Sequence, residues 1–160
     1  LNDPVEDKLV IPVEGGGVTK VYALINTAYG ALGSKAGEIA FRAGEATYAV
    51  SLVEGANVRD HYFGSFVNTT TDPNTTQDVY GISGQGNAHY DMLMFALPDG
   101  FLLDTIIFIS SAVDDNPANG KAFLAGVTVA SGEQVPDGGA MLVLAGLGVL
   151  GLGLLRARRA

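Results

Sequence analysis

Arg59, Asp60, His61 and Tyr62 stand in one unbroken run and combine a guanidinium, a carboxylate, an imidazole and a phenol. Planar hydrogen-bonding groups beside aromatic faces suit sugar rings, which present CH patches and a rim of hydroxyls. On that reading the four residues form a ligand-binding edge. The plainer reading is that Arg59 and Asp60 make salt bridges that fix a strand end. His61 and His89 are the only histidines. A nucleophile–base pair would need an activated hydroxyl and an orienting acid, and Ser51, Ser65, Ser83 and Ser110 stand in no such context. No catalytic residue is therefore expected. Asp114, Asp115, Asn116 and Asn119 share one oxygen-rich stretch, and Asp72, Asn74 and Asp78 a second. Hard oxygen donors of this kind can hold calcium. The same residues also favour turns without any metal. Gly81–His89 (GISGQGNAH) carries three glycines, at 81, 84 and 86, but lacks the strand–helix setting of a dinucleotide fingerprint. It reads as a turn.

Short, punctuated segments of β type must position these groups. Lys20–Asn26, Glu38–Arg42, Thr47–Val53, Asn57–Val67, Gln77–Ile82, His89–Leu97, Phe101–Ser110 and Lys121–Val129 are the predicted strands. Glu38–Arg42 and Thr47–Val53 form a predicted hairpin around Ala43-Gly44-Glu45-Ala46. Outside the C-terminal tail no long segment keeps a 3.6-residue period. Eight or nine strands with regular Gly, Asn and Asp turns predict an all-β, antiparallel β-sandwich.

The 160-residue chain carries a formal charge of −8, but its basic residues are uneven. Arg156, Arg158 and Arg159 lie in the last five positions, leaving six basic residues against seventeen carboxylates elsewhere, a net of −11. An acidic domain repels phosphate backbones, so nucleic acid is not an expected partner. Cysteine is absent, which removes disulfide staples and thiol chemistry. A first residue Leu1 rather than Met is what a mature exported product would show.

The tail has three parts. Val135, Pro136, Asp137, Gly138 and Gly139 form a flexible proline–acid motif. Residues 140–155 (AMLVLAGLGVLGLGLL) hold no charge and, as a helix, would span roughly 24 Å. That length is short for a bilayer, yet workable with snorkelling arginines. RARRA follows, and the positive-inside rule keeps it in the cytoplasm. Gly146 and Gly153 fall on one helix face and Gly148 and Gly151 on nearly the opposite one, where small residues permit close packing in lipid. The expected organisation is a β-sandwich domain over 1–132 outside the cytoplasm, a linker over 133–139, a transmembrane helix over 140–155 and a cytoplasmic basic tail over 156–160.

This order of motif, apolar helix and arginine cluster resembles the PEP-CTERM sorting signal of bacterial exported proteins. The resemblance implies processing by an exosortase and display in the envelope or extracellular polysaccharide matrix. Asp137 replaces the usual Glu, and Gly138 the second Pro, as in a VPDGG-type variant. Val21–Gly30 (VYALINTAYG) and the stretch Gly37–Phe66, with its Val-Arg-Asp-His-Tyr core, are similar to exported PEP-CTERM proteins that carry an LINT segment. More widely they resemble galactose-binding-like jelly rolls, over around 100 residues. The resemblance implies a jelly-roll fold and carries over no ligand.

The expected function is thus non-enzymatic: a membrane-anchored structural or carbohydrate-binding protein of the bacterial envelope, its partner extracellular polysaccharide. The alternative is an accessory subunit of a multi-subunit membrane complex, such as a light-harvesting or energy-converting one. There the helix would be a permanent anchor among other membrane-protein subunits, with the β domain bracing the outer face. No cofactor is expected beyond the calcium that the oxygen-rich stretches could hold.

Overall fold

The computed structural model describes residues 8–64, 66–81, 88–110 and 119–132. Within them the chain forms eight strands: β1 (Lys8–Pro12), β2 (Val18–Gly30), β3 (Lys35–Ala43), β4 (Ala46–Val53), β5 (Thr75–Gly81), β6 (His89–Ala96), β7 (Thr105–Ser110) and β8 (Asn119–Ser131). No helix occurs among the described residues. The strands build two four-stranded antiparallel sheets, in the orders β1-β7-β3-β4 and β5-β6-β2-β8.

Alternation of apolar and polar residues decides which face of each strand is buried. In β6, His89, Asp91, Leu93 and Phe95 face the core while Tyr90, Met92 and Met94 face outward. The core joins Ile39, Phe41, Leu52 and Ile106 of the first sheet to Val21, Ile25, Leu93 and Phe95 of the second. The rings of Phe41 and Phe95 meet across the layers at 5.2 Å. A two-residue turn, Gly44-Glu45, closes the β3–β4 hairpin with Ala43 opposite Ala46, and Gly44 supplies the left-handed conformation there (φ 60°).

The predicted sandwich of antiparallel strands is present, with local differences. β1 was not expected. Its five residues are mostly exposed, so burial leaves little imprint on its sequence, and pairing with β7 defines it. The predicted strand Phe101–Ser110 begins only at Thr105, because turns at Pro98–Phe101 and Phe101–Leu103 occupy its start.

The largest correction concerns Asn57–Val67, predicted as a strand. It makes only isolated bridges, Glu54 to Val58, Thr27 to Asp60 and Tyr62 to Ala88. Val58, Arg59 and Asp60 are all buried in succession, yet no neighbouring strand pairs with the segment continuously. The segment wedges into the second sheet. β2 and β6 pair only from Lys20–Ala96 to Leu24–Met92. Beyond that point Thr27 N donates to Arg59 O (3.0 Å), His61 N to Thr27 O (2.9 Å) and His89 N to His61 O (2.9 Å).

Candidate functional site

The wedge places its side chains on both faces of the sheet. Inward, Arg59 is 2% exposed and forms the centre of a polar cluster. Its Nε and Nη2 donate to Asp91 Oδ2 (2.6 Å) and Oδ1 (2.8 Å), its Nη2 also to Asp78 Oδ1 (2.8 Å), and its Nη1 to Asn68 O (2.8 Å). A bidentate fork on a buried carboxylate is the strong form of this pair. Asn26 completes it. Its Nδ2 donates to Asp91 Oδ2 (3.1 Å), and Asp91 N donates back to its Oδ1 (2.8 Å).

Asp78 reaches the cluster through a bulge. β5 spends two more residues than β6 between the pairs Thr76–Met92 and Tyr80–Tyr90. Asp78 there takes a left-handed conformation (φ 57°). This re-aims the residue, so that its N–H donates to Asp91 Oδ1 (2.9 Å) while its carboxylate meets Arg59. Burial pulls the Arg59 guanidinium's pKa down. The hydrogen bonds and charges of Asp91, then of Asp78, more than offset this and hold it above its ordinary value.

Asp78, His89 and Asp91 bring potential ligand atoms within 4.8 Å of one another. Each Asp91 oxygen, however, already accepts two donors, and the Arg59 charge occupies the centre. A cation would have to displace a guanidinium, so this trio does not fit a metal.

Asp60 is also 2% exposed. Its Oδ2 accepts from Tyr29 N and its Oδ1 from Tyr62 N, both at 2.8 Å. Arg59 and Asp60 therefore do not present their side chains at a surface, and they do not pair with each other in the described contacts. The wedge turns both inward, away from the edge at which a ligand was expected. His61 and Tyr62 remain partly exposed.

On the outer face a chain of rings runs along the second sheet. Tyr80 and Tyr90, opposite each other on β5 and β6, stack with centroids at 6.4 Å. Tyr90 meets Phe123 of β8 edge-on at 6.1 Å. Phe123 meets His61 at 5.3 Å, and His61 meets Tyr62 at 6.2 Å. Tyr80 is 58% and Tyr62 38% exposed. The His61 ring is held by Nδ1 against Thr27 O at 3.0 Å. Below the wedge, Arg59 Cζ lies 5.3 Å from the Phe63 ring centroid, and Phe63 packs on His89 at 4.3 Å. The buried ion cluster thus fixes the wedge that carries two of the five surface rings.

The sequence had signals for part of this. Asp91 lies in the core phase of β6, where a carboxylate requires a partner; Asp78 and Asn26 carried none. Of the oxygen-rich stretches, Asp72 Oδ1 accepts from Asn74 N (2.8 Å) and Nδ2 (3.0 Å), which is turn chemistry. Asp114, Asp115 and Asn116 lie outside the described residues, and Asn119 opens β8.

The whole tail also lies outside the described residues: Val135, Pro136, Asp137, Gly138 and Gly139, the glycines at 146, 148, 151 and 153, and Arg156, Arg158 and Arg159. Comparison with curated proteins and with solved structures finds no match. Residues 134–159 match the family model of the VPDSG-CTERM motif, with Gly138 where the motif's name has serine. This is a PEP-CTERM-like sorting tail, and it indicates an exported, membrane-associated protein.

Proposed function

We propose that the protein is a non-enzymatic, membrane-anchored module of the bacterial envelope that binds neutral polysaccharide through the outer face of the β5-β6-β2-β8 sheet. The observation that carries this reading is the run Tyr80–Tyr90–Phe123–His61–Tyr62, five rings in contact on one face. Aromatic faces receive the CH patches of sugar rings, and the phenol and imidazole edges offer polar atoms to hydroxyls. The net charge of −11 before the terminal arginines disfavours acidic polymers and leaves neutral hexose chains as the matching class. A jelly roll of the galactose-binding-like type accords with the topology, since the chain changes sheets at every step except β3–β4 and β5–β6. The tail holds the domain outside the cytoplasm with the arginines inside, until an exosortase processes it.

The test is retention of the full-length protein, in detergent micelles, on immobilised neutral and acidic polysaccharides. Retention on a neutral polymer is expected, and Tyr80→Ala or Tyr90→Ala should each weaken it about two- to tenfold with little change in melting temperature. Equal retention of both variants, or none of the wild type on any neutral polymer, would refute the reading.

One observation favours the accessory-subunit alternative. Tyr22, Leu24, Met92, Gly126, Val127 and Thr128 line an open, mostly apolar hollow of about 370 Å³ on the same face. A membrane-protein neighbour would cover it, and a stable complex that co-purifies from native membranes would support that reading.

A further inference from the structure

We propose that Glu54, Thr27 and Asp60 form a calcium site where the ends of β2 and β4 meet the wedge. Glu54 follows β4 and is 1% exposed, yet neither carboxylate oxygen has a hydrogen-bond partner. The Thr27 hydroxyl is fully buried, lies close enough to Glu54 to favour its charged form, and makes no other hydrogen bond. Asp60, joined to Thr27 by a backbone bridge, is the third buried oxygen donor, and its negative charge acts on Glu54. Each Asp60 oxygen accepts a single backbone N–H, and Oδ1 also lies 3.5 Å from His61 Nδ1, which leaves Oδ2 the freer donor. Arg59 faces away, committed to Asp91 and Asp78.

A buried polar group without a partner costs free energy, and an ordered ion is one standard resolution. Protonation of Glu54 resolves only part of this: a neutral carboxyl can share its proton with the neighbouring Thr27 hydroxyl, whereas the second Glu54 oxygen still lacks a donor. A cation satisfies Glu54, Thr27 and Asp60 together. Oxygen-only donors select a hard ion. Ligands from three separate segments suit the flexible shell of calcium better than the strict octahedron of magnesium. Two glycines make room for the Glu54 carboxylate itself. A side chain at Gly30 would overlap the Glu54 carboxylate, and a Cβ at Gly120 would lie 3.0 Å from Oε1 and 2.7 Å from Gly30 Cα. An exported domain meets calcium at the concentrations that extracellular modules use, with dissociation constants of about 10⁻⁴–10⁻³ M.

The experiment uses the full-length chain in detergent micelles, with terbium luminescence excited through tyrosine and thermal unfolding read in parallel. Terbium should bind the wild type and be displaced by calcium. CaCl₂ should raise the melting temperature by roughly 3–6 °C over the chelated protein, and MgCl₂ should not. Glu54→Gln should abolish both effects, and Thr27→Val should weaken calcium several-fold. The assignment is overturned if calcium leaves the wild-type melting temperature unchanged. It is equally overturned if Glu54→Gln responds like the wild type, or if the response disappears only when Asp114 and Asp115 are changed to Asn. Should Glu54→Gln fail to fold, undiminished calcium affinity in Thr27→Val overturns it.

Discussion

Two buried acids lead opposite lives in this domain. Asp91 receives four donors, whereas Glu54 has only the Thr27 hydroxyl nearby, outside good hydrogen-bond geometry. Burial above all, with Asp60's charge adding to it and Thr27 opposing, pushes the Glu54 pKa up to about 7. The sign of the resulting pH dependence is fixed. Between the unfolded value near 4.5 and the folded value near 7, the native state binds more protons than the unfolded one. The chelated protein should therefore lose stability as pH rises through that window, by roughly 3 kcal/mol in all. Denaturant unfolding at pH 5 and pH 8 measures the slope, and Glu54→Gln should flatten it. Arg59 behaves differently. Its removal strands Asp91 in the core, so Arg59→Ala should cost about 3–5 kcal/mol. Lysine should not rescue it, because an ammonium cannot reproduce the fork. Chemical denaturation of the two variants checks both statements, and recovery by Arg59→Lys would show that charge alone matters.

At the scale of elements, the sheets carry glycines of two kinds. Gly37 sits at a register shift between β3 and β4. A Cβ there would lie 2.6 Å from Ile109 O and 3.0 Å from Ala122 Cβ. Backbone cannot retreat as a side chain can, so Gly37→Ala should cost about 1–3 kcal/mol. At Gly126 of β8 the nearest atom is Leu24 Cδ1 at 3.9 Å, and Gly126→Ala should stay within about 0.5 kcal/mol. Melting curves of the pair provide the comparison; equal costs would mean that the β3–β7 approach is looser than described. The wedge is the element least visible beforehand. Its residues look like a strand because Val58, Tyr62, Phe63 and Phe66 have β character. What makes it a wedge is the demand of Arg59 for Asp91 and of Asp60 for the Tyr29 and Tyr62 amides.

The whole molecule divides into a β domain and a sorting tail at 134–159. Deleting 140–160 should release a folded domain into the aqueous phase on detergent phase separation, with its β signal in circular dichroism intact. An insoluble fragment without that signal would argue against the two-part organisation. The intact mass of the protein taken from its own membranes reports the fate of the tail. A mass ending between Pro136 and Gly139 means that the tail is removed, and a mass including Arg159 means that it is retained.

Sequence alone determined the class of the fold, because alternating burial in strands such as β6 is written directly into residue order. It also determined the tail, because a run of apolar residues closed by arginines is a one-dimensional signal. Tertiary structure decided the site. Asn26, Arg59, Asp78 and Asp91 lie up to 65 positions apart, and nothing in their local order says that they share one buried network. The same holds for the ring chain, which draws Tyr80, Tyr90, Phe123 and His61 from four separate segments. It holds too for Glu54, where only the fold reveals that a carboxylate at a strand end is sealed from water without a partner. Burial periodicity is a local property of the chain, whereas pairing of polar groups depends on which segments the two sheets bring together.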